Sequence, residues 1–193
     1  MSRLRVLGAG VLIASVVLGA SACSKDEKKA TSSDRGVIAF ADPPAGSTDL
    51  GLCYAYDLKQ MKALIGGDED FKQLAPAAIG TKDDKVHGEA CAWQRTDPNG
   101  DSLSLRIEAR DFGTDTAALA AQFETLRTAA IDNQPVESLG DAAFATVADD
   151  STVLQVRTGP YLLTLSSRAS GSLKPIGLDA MSLLATAGVD KLS

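Results

Sequence analysis

Residues 103–110 show the clearest pattern in the chain, because apolar and polar residues alternate there with a period of two. The polar positions are Ser104, Arg106, Glu108 and Arg110. In a β-strand, successive side chains point to opposite faces, so this pattern predicts a half-buried strand with one dry and one wet face. We expect the apolar side chains to face helices, and the four polar ones to face water or a partner.

Three other stretches show the 3.6-residue period of amphipathic helices. They cover about 57–66, 115–131 and 175–187. Asp57 is a good N-cap for the first helix, and Pro175 suits the first turn of the last one. Each of these helices needs an apolar surface on which to bury its hydrophobic stripe.

Short apolar runs between turn residues predict the remaining strands, and the polar stretch before the first of them predicts a loop. The predicted strands cover 91–95, 103–109, about 144–148, 152–157 and 161–167. The element order is therefore α-β-β-α-β-β-β-α. This order predicts an α+β fold, in which an antiparallel sheet of about five strands carries three helices on one face.

The N-terminus has the pattern of a secretory signal peptide. Arg3 and Arg5 precede an apolar run over residues 6–18, and small residues lead to Cys23, as in a bacterial lipobox. The run is shorter than the roughly 20 apolar residues that a membrane span needs. We expect a signal peptide over 1–22, a lipidated Cys23 on the outer face of the cytoplasmic membrane, a tether over 23–50 and a single domain over 51–193. Simple secretion and an uncleaved membrane helix are the alternatives.

The charge balance bears on the partners of the predicted mature chain. Residues 1–22 contain two of the 19 basic residues and none of the 25 acidic ones, so the net charge changes from −6 to −8 on cleavage. An acidic protein is repelled by phosphate backbones and by anionic lipid head groups. We therefore expect no binding to nucleic acid, and membrane contact only through the lipid anchor.

Two cysteines remain once Cys23 is assigned to the anchor. In an oxidising compartment, we expect Cys53 and Cys91 to form a disulfide; two free buried thiols are the alternative. Trp93 follows Cys91 on the same predicted strand. It is expected either to pack against the disulfide or to serve as a ligand platform.

Several of these features together resemble a family of actinobacterial cell-envelope lipoproteins, which carry a domain of unknown function with a Cys…Cys-Thr-Trp pattern. The resemblance rests on Cys53, the helix 57–66, the sequence Cys-Ala-Trp at 91–93, the segment 136–143 and the closing helix. Ala92 stands where the pattern has Thr. The resemblance implies a disulfide-containing α+β lipoprotein, and it implies no catalytic residues.

Catalytic and metal-binding patterns are absent from the sequence. His87 is the single histidine, and it lies in a polar stretch without a nucleophile motif. We therefore expect no catalytic residue, no metal site and no cofactor. A hydrolase that uses two carboxylates on envelope polymers is the alternative, and it requires two acids across one cleft.

The expected function is a non-enzymatic interaction module of the cell envelope. Its expected binding face consists of Arg106, Glu108, Arg110 and Trp93. The partner is expected to be an envelope protein or a small ligand. A concave apolar face lined by Trp93, Leu105 and Ile107 would favour a small ligand, whereas a flat exposed patch would favour a protein.

Overall fold

The structure, a computed structural model, describes residues 50–66 and 71–193. The predicted signal peptide, the lipidation site Cys23 and all of the predicted tether except Leu50 lie outside these residues. Within the described ranges, no helix is both long and apolar enough to cross a membrane.

The described residues form an antiparallel sheet with helices packed on it, which confirms the α+β class. The helices are a 3-10 helix (Leu52–Ala55), α1 (Leu58–Ile65), α2 (Thr116–Ala129) and α3 (Leu178–Leu192). The strands are β1 (Phe71–Ile79), β2 (His87–Thr96), β3 (Ser102–Asp111), β4 (Gln134–Pro135), β5 (Ala142–Val147), β6 (Ser151–Thr158) and β7 (Tyr161–Ala169). Their order across the sheet is β1-β2-β3-β7-β6-β5-β4.

The prediction of about five strands is wrong, because the described residues contain seven. The strand β1 lies where a polar loop was expected. It pairs with β2, but the register shifts between Leu74 and Ala77, around Pro76. This irregularity breaks the period of two, and a proline is tolerated there because β1 is an edge strand. The other missed strand, β4, has two residues, which is too short to show any period.

The predicted helix starts are confirmed for α1 and α2. The Asp57 carboxylate accepts a hydrogen bond from the Gln60 amide at 3.0 Å. The Asp115 carboxylate accepts one from the Ala118 amide at 3.0 Å. Each acid satisfies an amide that has no partner within its helix.

The predicted start of α3 at Pro175 is wrong by about one turn. The amide of Ile176 donates a hydrogen bond to the Ser167 hydroxyl on β7 at 2.9 Å, and both residues are buried. This bond holds the backbone in a non-helical path, so α3 begins only at Leu178.

The helices occupy both faces of the sheet, so the prediction that all three share one face is wrong. The larger core lies between α1, α3 and buried residues such as Leu105 and Leu163. The helix α2 lies on the opposite face, where Leu119 and Phe123 pack with Phe144 and Leu162. It covers only the part of that face near β5–β7, since it contacts β6 and β7.

Candidate functional site

The strand β3 presents its polar side chains on the face opposite α1 and α3, as predicted. Leu103, Leu105 and Ile107 are buried in the helix-covered core. Arg106 and Arg110 are exposed, with 49% and 46% of their side-chain surface accessible. The alternation of the sequence therefore identified the two faces of β3 correctly.

Glu108 connects the two arginines. Nε and Nη2 of Arg106 lie 3.3 and 2.9 Å from Oε2 of Glu108, and Nε of Arg110 lies 2.6 Å from Oε1. Both pairs lie within one strand. Each arginine donates some of its N–H groups to Glu108, and its other N–H donors remain available at the exposed surface. The backbone positions of the two arginines are about 13 Å apart along β3, but both guanidinium groups contact the same carboxylate, so Glu108 holds the two cations close together.

The pKa of Glu108 follows from this geometry. Burial by itself would raise the pKa, but hydrogen bonds from Arg110 and Arg106, together with their charges, outweigh burial and lower it. Glu108 is therefore ionised at neutral pH. A carboxyl group that acts as a general acid needs a raised pKa, so Glu108 has the opposite character.

Small and polar residues surround the Arg106–Glu108–Arg110 group. Ala92 of β2 and Ser166 of β7 lie opposite Arg106 in the sheet register. We call the exposed and half-buried side chains on this uncovered part of the sheet the open face. It consists of Lys72, Leu74, Ala77, Ile79, Ala92, Gln94, Ser104, Arg106, Glu108, Arg110, Thr146, Ser151, Val153, Thr164, Ser166 and Arg168.

Two further cations, Lys72 and Arg168, belong to the open face and were not identified from the sequence. Lys72 pairs with Gln94, which pairs with Ser104, which pairs with Arg168, so all four lie in one row across the sheet. Both cations are exposed. Within the described part of the chain, neither forms an ion pair. The alignment of strands distant in sequence brings them to the same face as Arg106.

Trp93 does not belong to the open face, so its predicted place in the binding face is wrong. Its side chain is 1% exposed and lies in the core under the helices. Its ring meets Tyr56 edge to face, with centroids 5.6 Å apart. Trp93 precedes Gln94 on β2, and neighbouring residues of a strand point to opposite faces. The apolar surface formed by Trp93, Leu105 and Ile107 is therefore the protein core.

Cys53 and Cys91 form the predicted disulfide. Glu89, two residues before Cys91, is also buried, and its Oε2 accepts hydrogen bonds from the amides of Leu50 and Leu52 at 3.1 and 3.0 Å. The two sulfurs and a Glu89 oxygen lie within 4.8 Å of one another. Because the sulfurs are bonded to each other, this group is a structural clamp at the start of the domain rather than a metal site.

A cleft with a volume of about 370 Å³ lies between α2 and residues 133–144. The nearly buried rings of Phe123 and Phe144 form its floor. At its rim, Glu124 forms an ion pair with Arg127 at 2.6 Å, and the Asp141 carboxylate accepts a hydrogen bond from the Gly159 amide at 2.9 Å. These two acids of the cleft are thus engaged within the protein.

The segment 136–143, which contributed to the family resemblance, forms one wall of this cleft. Gly140 has a φ of 60°, and a Cβ atom there would lie 2.5 Å from the carbonyl oxygen of Arg157. The Asp141 amide donates to that same oxygen at 2.8 Å. The Gly-Asp pair therefore attaches the segment to β6, which is a structural role.

His87 begins β2, where the sequence predicted a loop residue without catalytic function. Its Nε2 lies 3.7 Å from a carboxylate oxygen of Asp111, on the neighbouring strand β3. Its Nδ1 lies 3.1 Å from the carbonyl oxygen of Asp84. Both ring nitrogens thus lie beside oxygens of Asp84 and Asp111.

Comparisons with known proteins give little information about this chain. No protein-family model matches it, and no curated protein is significantly similar to it. One solved structure that matches is the crystal structure of a GTP binding regulator from Thermotoga maritima. The identity is 11%, the match covers 72% of this chain and 91% of the other, and the TM-score is 0.39. A similarity this weak supports no functional argument.

Proposed function

We propose that this protein is a non-enzymatic binding module of the cell envelope, anchored to the outer face of the cytoplasmic membrane through a lipid on Cys23, and that it binds its partner with the open face. The observation that carries the proposal is the Arg106–Glu108–Arg110 group. It places two exposed guanidinium groups on a sheet surface that none of the helices in residues 50–66 and 71–193 covers.

The location of the core supports a surface partner over a small apolar ligand. Trp93, Leu105 and Ile107, the residues expected to line a ligand cavity, are 0–1% exposed. The accessible side chains of β3 are polar, and they belong to a broad surface that extends over the neighbouring strands. Such a surface suits a macromolecule that contacts several strands at once.

Four acids with internal partners, of which Glu124 and Asp141 lie at the cleft, favour binding over hydrolysis. A carboxylate-based hydrolase needs one carboxyl group with a raised pKa and a second one free to act as a base or nucleophile. Hydrogen bonds from the side chain and the backbone of Ser172 lower the pKa of Asp101, as those from the arginines lower that of Glu108. Glu124 and Asp141 at the cleft rim have the internal partners described above.

Cysteine footprinting tests whether the open face is occupied in the envelope. Ser166 lies at the centre of the open face, and Ala63 is exposed on α1, on the other side of the sheet. We compare Ser166→Cys with Ala63→Cys, and measure the rate of labelling by a membrane-impermeant maleimide in intact cells relative to the purified protein. We expect the relative rate to be reduced only at position 166. Equal relative rates at the two positions would contradict the proposed function.

A further inference from the structure

The open face is a basic surface on an acidic protein. Among the described residues, it carries four cations, Lys72, Arg106, Arg110 and Arg168, and one carboxylate, that of Glu108. The whole chain has a net charge of −6. The other acids of the described residues lie outside the open face, and the Asp149–Asp150 turn borders it at the end where Arg168 lies.

The spacing of the cations suits a ligand with several separated negative charges. Arg168 lies diagonally across from Arg106, because its register partner on β3 is Ser104. Diagonal neighbours on adjacent strands are about 7–8 Å apart. Lys72 is three strands away from Arg168 in the same row, which is about 14 Å. One phosphate or carboxylate group cannot reach all of these positions, but a polymer with repeated charges can.

The residues between the cations favour a hydrated polymer over a protein surface. Protein interfaces are typically centred on aromatic, Met or other large apolar side chains. The open face has no aromatic residue, and its larger apolar side chains, Leu74, Ile79 and Val153, are spread over three positions on β1 and β6 rather than gathered at its centre. Between the cations lie Gln94, Ser104 and Ser166, whose amide and hydroxyl groups hydrogen-bond well to sugar hydroxyls.

We propose that the open face binds a linear, anionic glycopolymer of the envelope, with phosphate or carboxylate groups along its chain. The guanidinium groups take these anions through paired N–H donors, while the hydroxyl and amide side chains bind the neutral parts of the polymer. This inference rests on the proposed function, since it names the ligand class of the same face. At physiological ionic strength charges are screened over about 8 Å, so acids on the helix side of the sheet weaken the binding little.

The best test changes Lys72 and Arg168, because neither forms an ion pair with a described residue and Glu108 does not depend on them. Lys72→Glu with Arg168→Glu is compared with Lys59→Glu and Lys174→Glu. The second pair makes the same change in net charge at exposed positions outside the open face. The neutral pair Lys72→Gln and Arg168→Gln serves if the first variant unfolds, as judged by its circular dichroism.

The full chain, purified in detergent, is titrated with fluorescent polygalacturonate and with poly(glycerol phosphate), and dextran is the uncharged control. We expect at least one polyanion to bind, and the open-face reversal to weaken its Kd by about tenfold or more, while the control pair leaves it almost unchanged. Raising the ionic strength from about 0.1 M to about 1 M shortens the Debye length from about 10 Å to about 3 Å, so binding should also weaken with salt.

Several results would overturn the inference. Binding of neither polyanion, equal binding of dextran, or equal losses in both variant pairs would each do so. Tighter binding of poly-glutamate than of polygalacturonate or poly(glycerol phosphate) would assign the face to an acidic protein. Binding only to phosphatidylglycerol vesicles would assign it to the membrane. Protection of position 166 in cells without binding of either polyanion would overturn the ligand class alone, whereas equal labelling at positions 166 and 63 would overturn the proposed function itself.

Discussion

Removal of the Cys53–Cys91 disulfide should lower the stability of the domain by a large and calculable amount. The suitable variant is Cys53→Ala with Cys91→Ala. Alanine is preferable to serine here because both positions are almost completely buried, and a buried serine hydroxyl without a partner adds its own cost. The effect then reports mainly the loss of the covalent link.

The magnitude follows from the loop that the bond closes. The two cysteines are separated by 38 residues. The loss of unfolded-state entropy for a loop of this length stabilises the folded protein by about 4 kcal/mol. Each lost sulfur also removes a buried apolar contact, worth about 0.8 kcal/mol if it behaves like a methylene. The free energy of unfolding should therefore fall by about 4–6 kcal/mol, a large share of the typical 5–15 kcal/mol.

Urea unfolding followed by circular dichroism measures this difference. With a slope of about 2 kcal/mol per molar urea, the unfolding midpoint should fall by about 2–3 M. The midpoint of wild-type protein treated with a reductant should fall nearly as far. This comparison distinguishes the effect of the lost covalent bond from any effect of the alanine side chains on packing. Cys23→Ala is the matched control, because it removes a cysteine outside the disulfide, and its midpoint should equal that of wild type.

A small effect would refute this reasoning. If peptide mapping shows the Cys53–Cys91 link in wild type, but the double variant loses less than about 1 kcal/mol, then loop closure contributes little here. The unfolded chain would then already hold the two cysteines close together. Two alkylatable thiols at these positions in the oxidised protein would contradict the disulfide itself.

Three further predictions concern the anchor, the clamp at the domain start and the arginine pair. Intact-mass analysis should find a diacylglyceryl group on wild type and none on Cys23→Ala, which should also leave the membrane fraction; an unmodified wild type would contradict the anchor. Glu89→Gln should cost roughly 1–3 kcal/mol and speed hydrogen exchange at the Leu50 and Leu52 amides, and unchanged exchange would contradict the clamp. Because the pKa of Glu108 is lowered on folding, its stabilising effect is present above the ordinary carboxyl pKa and is lost as pH falls through the lowered value. The stability difference between wild type and Glu108→Gln should therefore be larger at pH 7 than at pH 3, and equal differences at both would contradict that role.

The local parts of the fold could be predicted from sequence because their signals are local. The alternation over 103–110 identified both faces of β3, and Asp57 and Asp115 marked the starts of α1 and α2. The side of the sheet on which α2 packs has no such signal. It depends on Phe144 and Leu162, which belong to different strands and form an apolar patch only after those strands align.

The candidate site could be predicted only in part, for the same reason. Arg106, Glu108 and Arg110 share one strand, so their common face follows from the period of two. Lys72 and Arg168 join them through pairing between strands far apart in sequence. The residue type of Trp93 suggests a binding role, but Trp93 pairs with the buried Leu105 across β2 and β3 and therefore lies in the core.

One glycine shows a constraint that the sequence does not reveal. Gly188 lies inside α3, where glycine weakens a helix by about 1 kcal/mol relative to alanine. A Cβ atom at this position would lie 2.6 Å from the Tyr56 hydroxyl. The helix therefore needs glycine there, because the Tyr56 hydroxyl and the Leu163 side chain leave no room for a Cβ atom.

The most direct test of the central claim is site-specific photocrosslinking in intact cells. A benzophenone amino acid is placed at Gln94, on the open face, or at Ala63, on the helix-covered side of the sheet. If the open face binds an envelope component, irradiation should produce a higher-mass adduct from position 94 that is absent from position 63. That adduct should disappear when Lys72→Glu and Arg168→Glu are added. Adducts from both positions, or from position 63 alone, would contradict the claim that the open face is the binding surface.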